Sequence, residues 1–349
     1  MQRIALAPDH EISRVIRGGW QMAGGHGAVD HAEAVADLVA FADAGVTAFD
    51  CADIYTGVEE LIGDFRRAYA DLRGAEALAR IRVHTKYVPD LDLLPRLTRA
   101  DVERVIDRSL GRLGAERLDL VQFHWWDYAA PGWLEAAHWL DELRRVGKIR
   151  HVGGTNFDTA RMAAIVDDGV PLLSMQLQYS LLDRRPEKAF RAAAAERGVA
   201  LLCYGTVAGG FLGDRWLGRP EPAEPLENRS LTKYKLIIDD LGGWELFQSL
   251  LATLRRVADR HGSDIATVAS AAMLARPGVA AVIVGARNRS HLAANLAISD
   301  LALDAGDLAA IEAALAQARP LEGDVYALER DREGRHGSIM KYNLSRGVA

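Results

Sequence analysis

The chain has 349 residues and a net charge of −6, with 49% apolar and 26% charged residues, the profile of an ordinary folded globule. It carries no Lys/Arg block of the kind that marks a nucleic-acid footprint, and no apolar run reaches the ~18 residues of a membrane span. The start, MQRIALAPDHEISRV, lacks a basic region followed by an apolar one, and Cys51 and Cys203 form no CxxC, so the expectation is a cytoplasmic protein without disulfides.

In chain order, RIALA and EISRV flank PDHE and predict a small hairpin. The apolar run VIRGG (15–19) reads as the first buried strand. Residues 31–44 predict a helix with Val35, Leu38, Val39 and Ala42 on one face and Gly45 as its stop. A second strand, VTAFD (46–50), ends on Asp50, and Tyr55 follows in the loop before a helix-like pattern. The third is IRVHTK (81–86). Thr98 and Asp101 then read as a capping box for a helix striped by Val102, Val105, Ile106, Leu110 and Leu113 and ended by Gly114. The strands LDLVQFH (118–124), IRHVGG (149–154) and LLSMQ (172–176) come next. Pro186 opens a segment ending near Gly198, and VALLCY (199–204) is the seventh strand. Residues 205–242 form a long Gly/Pro-containing connection, read as a cover over a site. Helices at 243–261 and 263–275, the strand AAVIVG (280–285) and a helix at 306–317 complete the pattern.

Eight alternations of strand and helix predict a closed (β/α)8 TIM barrel, with residues 1–349 as one domain and the hairpin capping its floor. A doubly wound open sheet is the alternative, and it would usually bring a GxGxxG turn, which the chain lacks. Barrel active sites are built from the carboxyl ends of the strands. Here the second strand ends at Asp50 with Tyr55 in its loop, the third at Lys86 and the fourth at His124. Singly these could be a helix cap, a solvated end and a core histidine. Together they deliver an acid, a phenol, an ammonium and an imidazole to one rim. A phenol keeps its proton at neutral pH, a nearby ammonium lowers its pKa, and a carboxylate keeps the ammonium charged. A histidine N–H can hold a carbonyl oxygen beside the phenol. Such a site protonates an oxygen gaining negative charge, the need of a carbonyl that receives hydride from a cofactor.

The sequence resembles the aldo-keto reductase family over nearly its whole length. FDCADIY (49–55), HTK (84–86) and LDLVQFHW (118–125) match its Asp/Tyr, Lys and His segments. VGGTNFD (152–158), MQLQYSLLDR (175–184), YGTVAGGFL (204–212) and GARNRSHLAANL (285–296) match its cofactor segments. The resemblance implies an NADP(H)-dependent reductase of an aldehyde or ketone, with Tyr55 as general acid, Lys86 and Asp50 tuning it, and His124 orienting the carbonyl. It places Thr155, Asn156 and Gln176 at the nicotinamide carboxamide and Tyr204 on the ring. Gly19, Trp20, Gln21 and Asp50 would meet the cofactor from the first strands, and Gly205, Gly209, Gly210 and Leu212 would meet the pyrophosphate. Arg287, with Asn288 and His291, lies where the 2′-phosphate of NADP binds, Gly285 and Ala286 belong to the same cofactor segment, and Asn295 matches the adenine contact. Trp20, Tyr55, His124 and Trp125 would line the substrate site.

The chain departs from the family pattern at Gly153–Gly154, in the missing Ser-Pro-Leu after Tyr204, and at His291. Trp20, Trp125, Trp126 and Tyr128 read either as an apolar substrate wall or as packing beneath loops. The tail with Arg330, Arg332, Arg335 and Lys341 reads as a solvated terminus from its composition. The family instead folds this segment over the pocket, which leaves an anionic or hydroxyl-rich substrate open. The two cysteines read as small buried residues. A nicotinamide-binding regulatory subunit with little turnover is the rival reading, and a metal hydrolase using His84 and His124 a poorer one, since no HxH stands at a strand end. The partner is a small carbonyl compound, with no metal, nucleic acid or membrane, and the oligomeric state is not read from the sequence.

Overall fold

The structure is a computed structural model that describes residues 1–24, 27 and 29–344. A two-stranded antiparallel hairpin comes first, β1 (Arg3–Ala7) and β2 (His10–Ser13). Eight parallel strands then close a barrel in the order β10-β3-β4-β5-β6-β7-β8-β9. They are β3 (Val15–Gly18), β4 (Ala48–Asp50), β5 (Arg82–Tyr87), β6 (Leu118–Phe123), β7 (Ile149–Thr155), β8 (Leu172–Gln178), β9 (Ala200–Tyr204) and β10 (Val279–Gly285). Each of the eight expected runs is a barrel strand, because strands covered by helices outside and side chains inside are apolar on both faces.

The barrel interior is filled from its floor by Ile16, Ala48, Leu120, Leu202, Ala280 and Ala281, with Ile12 of the hairpin inserted among them. The hairpin is fastened to the residue before β4 by a reciprocal pair: Ser13 N donates to Thr47 Oγ1 (2.8 Å) and Thr47 N to Ser13 Oγ (3.0 Å). His10 Nε2 lies 3.0 Å from His84 Nε2, with both rings fully buried. This plug makes one end of the barrel solid and leaves chemistry to the other.

Among the outer helices, α1 (His31–Asp43) starts where the Asp30 side chain accepts from Glu33 N. It buries Asp37, Leu38, Phe41 and Ala42, so the buried stripe is turned by about one residue from the expected face and leaves Val35 and Val39 only partly covered. Helix α2 (Val58–Arg73) leaves the Tyr55 loop through Gly57 at φ 75°, and a short α3 (Ala75–Leu78) precedes β5. Helix α4 (Arg99–Leu113) has the expected capping box between Thr98 and Asp101 and stops at Gly114, φ 57°. After α5 (Trp133–Arg145), α6 (Thr159–Asp167) and α7 (Phe190–Glu196) comes the long connection. It holds a helix that the sequence reading left as loop, α8 (Arg229–Leu241), capped by the Asn228 side chain. Helices α9 (Trp244–Arg260), α10 (Ile265–Leu274), α11 (Leu292–Asp300) and α12 (Ala305–Ala314) follow.

The C-terminal segment is not solvated as its composition suggested. Val325, Tyr326, Glu329 and His336 are buried, and Tyr342 O accepts from Leu91 N at 3.0 Å. The segment crosses the strand ends of β5 and β6 and is anchored beyond β8 by an ion pair between buried Glu329 and Arg185.

The Gly153–Gly154 departure has a packing cause. A Cβ on Gly153 would lie 3.0 Å from Ser174 O, and one on Gly154 would run into the Met175 side chain. β7 therefore sits close on β8 at the point where Thr155 and Gln176 come into register.

Candidate active site

Asp50 is the last residue of β4, and in register its neighbours on β5 and β6 bring Lys86 beside Gln122. Asp50 is 4% exposed and receives three donors. Lys86 Nζ gives to Oδ2 at 2.6 Å, while Gln122 and Gln176 Nε2 give to Oδ1 at 3.0 and 2.6 Å. Lys86 Nζ also donates to Cys51 O (2.7 Å). A buried ammonium is costly unless paired and fully bonded, and this one is both. Burial works against its charge, yet Asp50 and Tyr55 outweigh it and Lys86 is held above its ordinary range.

Tyr55 sits in the turn after Asp50, its N–H bonded to Ala52 O. Lys86 Nζ lies 4.9 Å from the centre of its ring. The sequence reading expected the ammonium to lower the phenol pKa. The structure reverses the sign: burial raises it, Lys86 lowers it, Asp50 raises it again, and the balance is upward. The carboxylate that keeps Lys86 charged also cancels much of its effect on the phenol. Tyr55 thus keeps its proton at neutral pH.

His124 follows β6, its N–H bonded to Tyr87 O. Nδ1 is 3.0 Å from the Thr155 carbonyl, which can only accept, so Nδ1 carries the proton. Burial first, then the charge of Arg330, pulls the ring down to about 3. The imidazole is neutral, and its buried, unbonded Nε2 is a lone pair. An N–H directed at a carbonyl was expected; the tautomer makes this nitrogen an acceptor.

The cofactor candidates fall into groups. Thr155 and Gln176 are buried on adjacent strands, and Asn156, at φ 60°, has its Oδ1 held by Tyr204 Oη at 2.8 Å. Gly19 is required by close approach, since a Cβ there would lie 2.7 Å from Asp50 O. Trp20 is 37% exposed and its ring centre lies 5.0 Å from that of Tyr55. Gln21 rests on Gly285, with its Oε1 buried and unbonded. Gly205, Gly209 and Gly210 all have positive φ (78°, 64° and 99°), and Tyr234 of α8 packs directly on the first two. Leu212 is fully buried with its N–H given to Val207 O, so it supports the turn from inside.

Ala286 is buried beneath the last turn. Arg287 is 59% exposed and has Glu227 as a partner at 3.7 Å. Arg289 is bonded to Asp37 of α1 at 2.9 Å. Asn288 caps the short turn before α11 by accepting from Ser290, and His291 is exposed. Asn295 is buried with an unbonded Nδ2.

Of the aromatics, Trp125 is fully enclosed and its indole N–H is bonded to Asp127 O and Ala130 O. It packs under a loop and does not face the mouth. Trp126 takes that place, edge-on to His124 at 4.3 Å and to Tyr342 at 5.2 Å. Tyr128 is likewise packing, its hydroxyl bonded to Asp158 N. Gln122 was missed, although an amide inside an apolar strand was the available signal. Tyr326, edge-on to His124 at 5.7 Å, was missed because the segment that carries it has no periodicity.

The aldo/keto reductase family model matches residues 14–316, and the chain belongs to that family. It is 31% identical over 241 residues to Protein tas of Escherichia coli (strain K12), covering 62% of this chain and 67% of that protein. It is 26% identical over 305 residues to the aldo-keto reductase YhdN of Bacillus subtilis (strain 168), covering 85% and 88%. With flagellar radial spoke protein 5 of Chlamydomonas reinhardtii it shares 29% over 257 residues, and the chain spans about half the length of that relative (47%). A thermostable aldo-keto reductase, Tm1743, superposes with a TM-score of 0.68 at 24% identity over 90% of this chain and 100% of that one, a likeness of fold. The family is one of oxidoreductases that use nicotinamide cofactors and small-molecule substrates. Among the described residues no helix is long and apolar enough to cross a membrane.

Proposed function

We propose that this chain, taken as one barrel domain, is an NADP(H)-dependent reductase of an aldehyde or ketone with Tyr55 as proton donor. The observation that supports it is the pairing of a proton-holding phenol with the Asp50–Lys86 ion pair at the rim where His124 also stands. When bound, the nicotinamide supplies hydride to the carbonyl carbon. Thr155, Asn156 and Gln176 would hold its carboxamide and Tyr204 its ring. Gly19, Trp20, Gln21 and the Gly205–Gly210 turn would take the phosphates and ribose, Arg287 the 2′-phosphate and Asn295 the adenine. The unbonded Gln21 Oε1 and Asn295 Nδ2 fit such a ligand, since buried polar atoms ordinarily have partners.

Tyr55 donates to the carbonyl oxygen and gives up its proton as charge develops there. Lys86, locked by Asp50 and Cys51 O, then stabilises the phenolate. His124, as an acceptor, receives the hydroxyl of the alcohol and so draws the product off the phenolate. Trp20, Trp126 and Tyr326 wall the carbonyl from water. Helix α8, tied to the first rim turn by Trp20 Nε1–Ser230 Oγ at 3.3 Å, covers the glycine turn. The deciding experiment is a carbonyl panel of sugars, steroids, short aldehydes and quinones with NADPH absorbance as the readout. Failure of every class to oxidise NADPH would favour the regulatory-subunit reading.

A further inference from the structure

Charges at the mouth are matched almost throughout. Asp50 pairs with Lys86, Asp183 and Glu329 with Arg185, and Glu329 also with Lys233 at 3.4 Å. On the outer side, Asp127 takes Arg332 and Asp158 takes Arg161. Arg330, the last residue of α13 (Ala327–Arg330), has no carboxylate among the described residues. Its guanidinium carbon lies 4.2 Å from the centre of the Tyr128 ring and 5.3 Å from that of Tyr326. One Nη2 proton goes to Trp125 O at 2.8 Å, and Nε and Nη1 are enclosed without any acceptor. A guanidinium has five N–H donors, so most of its capacity is unspent.

Two further features point the same way. Tyr326, whose ring packs against both Arg330 and His124, sits at φ 60°, a backbone state that a bulky residue adopts only when its surroundings impose it. The ring stands edge-on to His124, and the guanidinium carbon lies 5.3 Å from its centre. Stacking on two tyrosines stabilises the cation by roughly 0.5–2 kcal/mol and does not supply the missing counter-charge. The charge is felt where the chemistry would occur, since Arg330 contributes to the depressed pKa of His124.

We infer that the substrate carries an anionic group, a carboxylate or a phosphate, that pairs with Arg330 while its carbonyl lies at Tyr55 and His124. The inference rests on the reductase reading above and names its substrate class. Arg330 and His124 both pack against the Tyr326 ring, at 5.3 and 5.7 Å from its centre, so one small substrate could reach both. Planar, bidentate recognition suits a guanidinium.

The test uses the full chain with NADPH and matched pairs: 4-carboxybenzaldehyde against methyl 4-formylbenzoate, and glyceraldehyde 3-phosphate against glyceraldehyde. Charged hydrogen bonds are worth about ten- to a hundred-fold. The acid is expected to exceed its ester at least tenfold in kcat/KM, mainly through KM, or the phosphate to exceed the free sugar by the same factor. Whichever pair shows the preference identifies the anion. In Arg330→Met, which keeps the stem of the side chain, that ratio falls to near one, and Arg330→Lys restores part of it. Equal kcat/KM for charged and neutral partners in both pairs, or an unchanged ratio in Arg330→Met, overturns the proposal. If no aldehyde turns over, the reductase reading fails separately. Quenching of tryptophan fluorescence by 4-(hydroxymethyl)benzoate in NADP-loaded protein then decides the anion site. Binding lost in Arg330→Met upholds it, and no binding or equal binding in the two proteins overturns it.

Discussion

Replacing Asp50 by Asn removes one charge from a carboxylate on which three buried donors converge. An amide offers one oxygen and one NH2. If the oxygen faces Lys86, the NH2 meets the Gln122 and Gln176 amides; if it turns, the NH2 meets the ammonium. Either way buried donors are left unbonded and Lys86 loses its counter-charge. Breaking a buried pair from one side costs about 3–5 kcal/mol. Unfolding entropy of roughly 2.1 cal/mol/K per residue scales to about 0.73 kcal/mol/K for a chain of this length, so Tm should fall by about 4–7 °C. Turnover should fall too, because an uncompensated Lys86 moves toward neutrality and no longer stabilises the phenolate. The double variant Asp50→Asn/Lys86→Met removes both charges and should regain much of the Tm with none of the turnover. Thermal melts by circular dichroism with parallel NADPH assays check this. A single variant melting within about 1 °C of wild type would refute the view that this pair is the hub of the rim.

Tyr55→Phe should lower turnover by roughly 10²–10⁴ while NADPH still quenches tryptophan fluorescence; near-normal turnover rules out the phenol as donor. Arg287→Ala should weaken NADPH by at least about tenfold and leave NADH nearly unchanged, because its Glu227 partner is exposed and a poor substitute for a phosphate. Parallel titrations decide it, an equal loss for both cofactors making Arg287 structural. At the barrel floor, burial holds His10 down to about 2 and His84 to about 3, against about 6.5 when unfolded. The unfolded chain therefore binds more protons below pH 6.5, and the stability present above that pH is lost as pH falls. By pH 5 the loss is about 2 kcal/mol per ring, so urea unfolding of His10→Gln should show about 2 kcal/mol less change between pH 7.5 and 5 than wild type. The same change in both would place the acid sensitivity elsewhere.

The barrel was legible because its strands are written as short apolar runs, and the candidate set at the rim because polar residues interrupt those runs at their carboxyl ends. Strand limits were less so: Val46 and Thr47 look like strand, yet β4 begins at Ala48. Helix α8 was in fact readable, since Leu231, Tyr234, Ile237, Ile238 and Leu241 fall on one helical face behind an Asn cap. The prolines at 220, 222 and 225 drew attention to loop character instead. What no local pattern carries is the sign of a balance. That burial outweighs Lys86 at Tyr55, or that the Thr155 carbonyl fixes the tautomer of His124, depends on groups brought together from different strands. Trp125 and Trp126 are adjacent and identical, and the chain alone does not say which one turns inward.

The proposed reacting groups come from β4, β5 and β6 and the residues that follow them, whereas the walls around them come from the Trp20 turn, α8 and the segment after α12. The last of these is bolted down by Glu329 on Arg185, at a distance from the Asp50–Lys86 hub in the chain. Insertions, deletions or wholesale exchange of that segment would replace the Tyr326 and Arg330 contacts at His124 while leaving the Asp50–Lys86 pair and its Gln122 and Gln176 bonds in place. Lineages of this fold can accordingly diversify by trading covers, and an engineer can do the same. Grafting a foreign terminal segment that keeps an acid at position 329 retains the bolt and changes the lock.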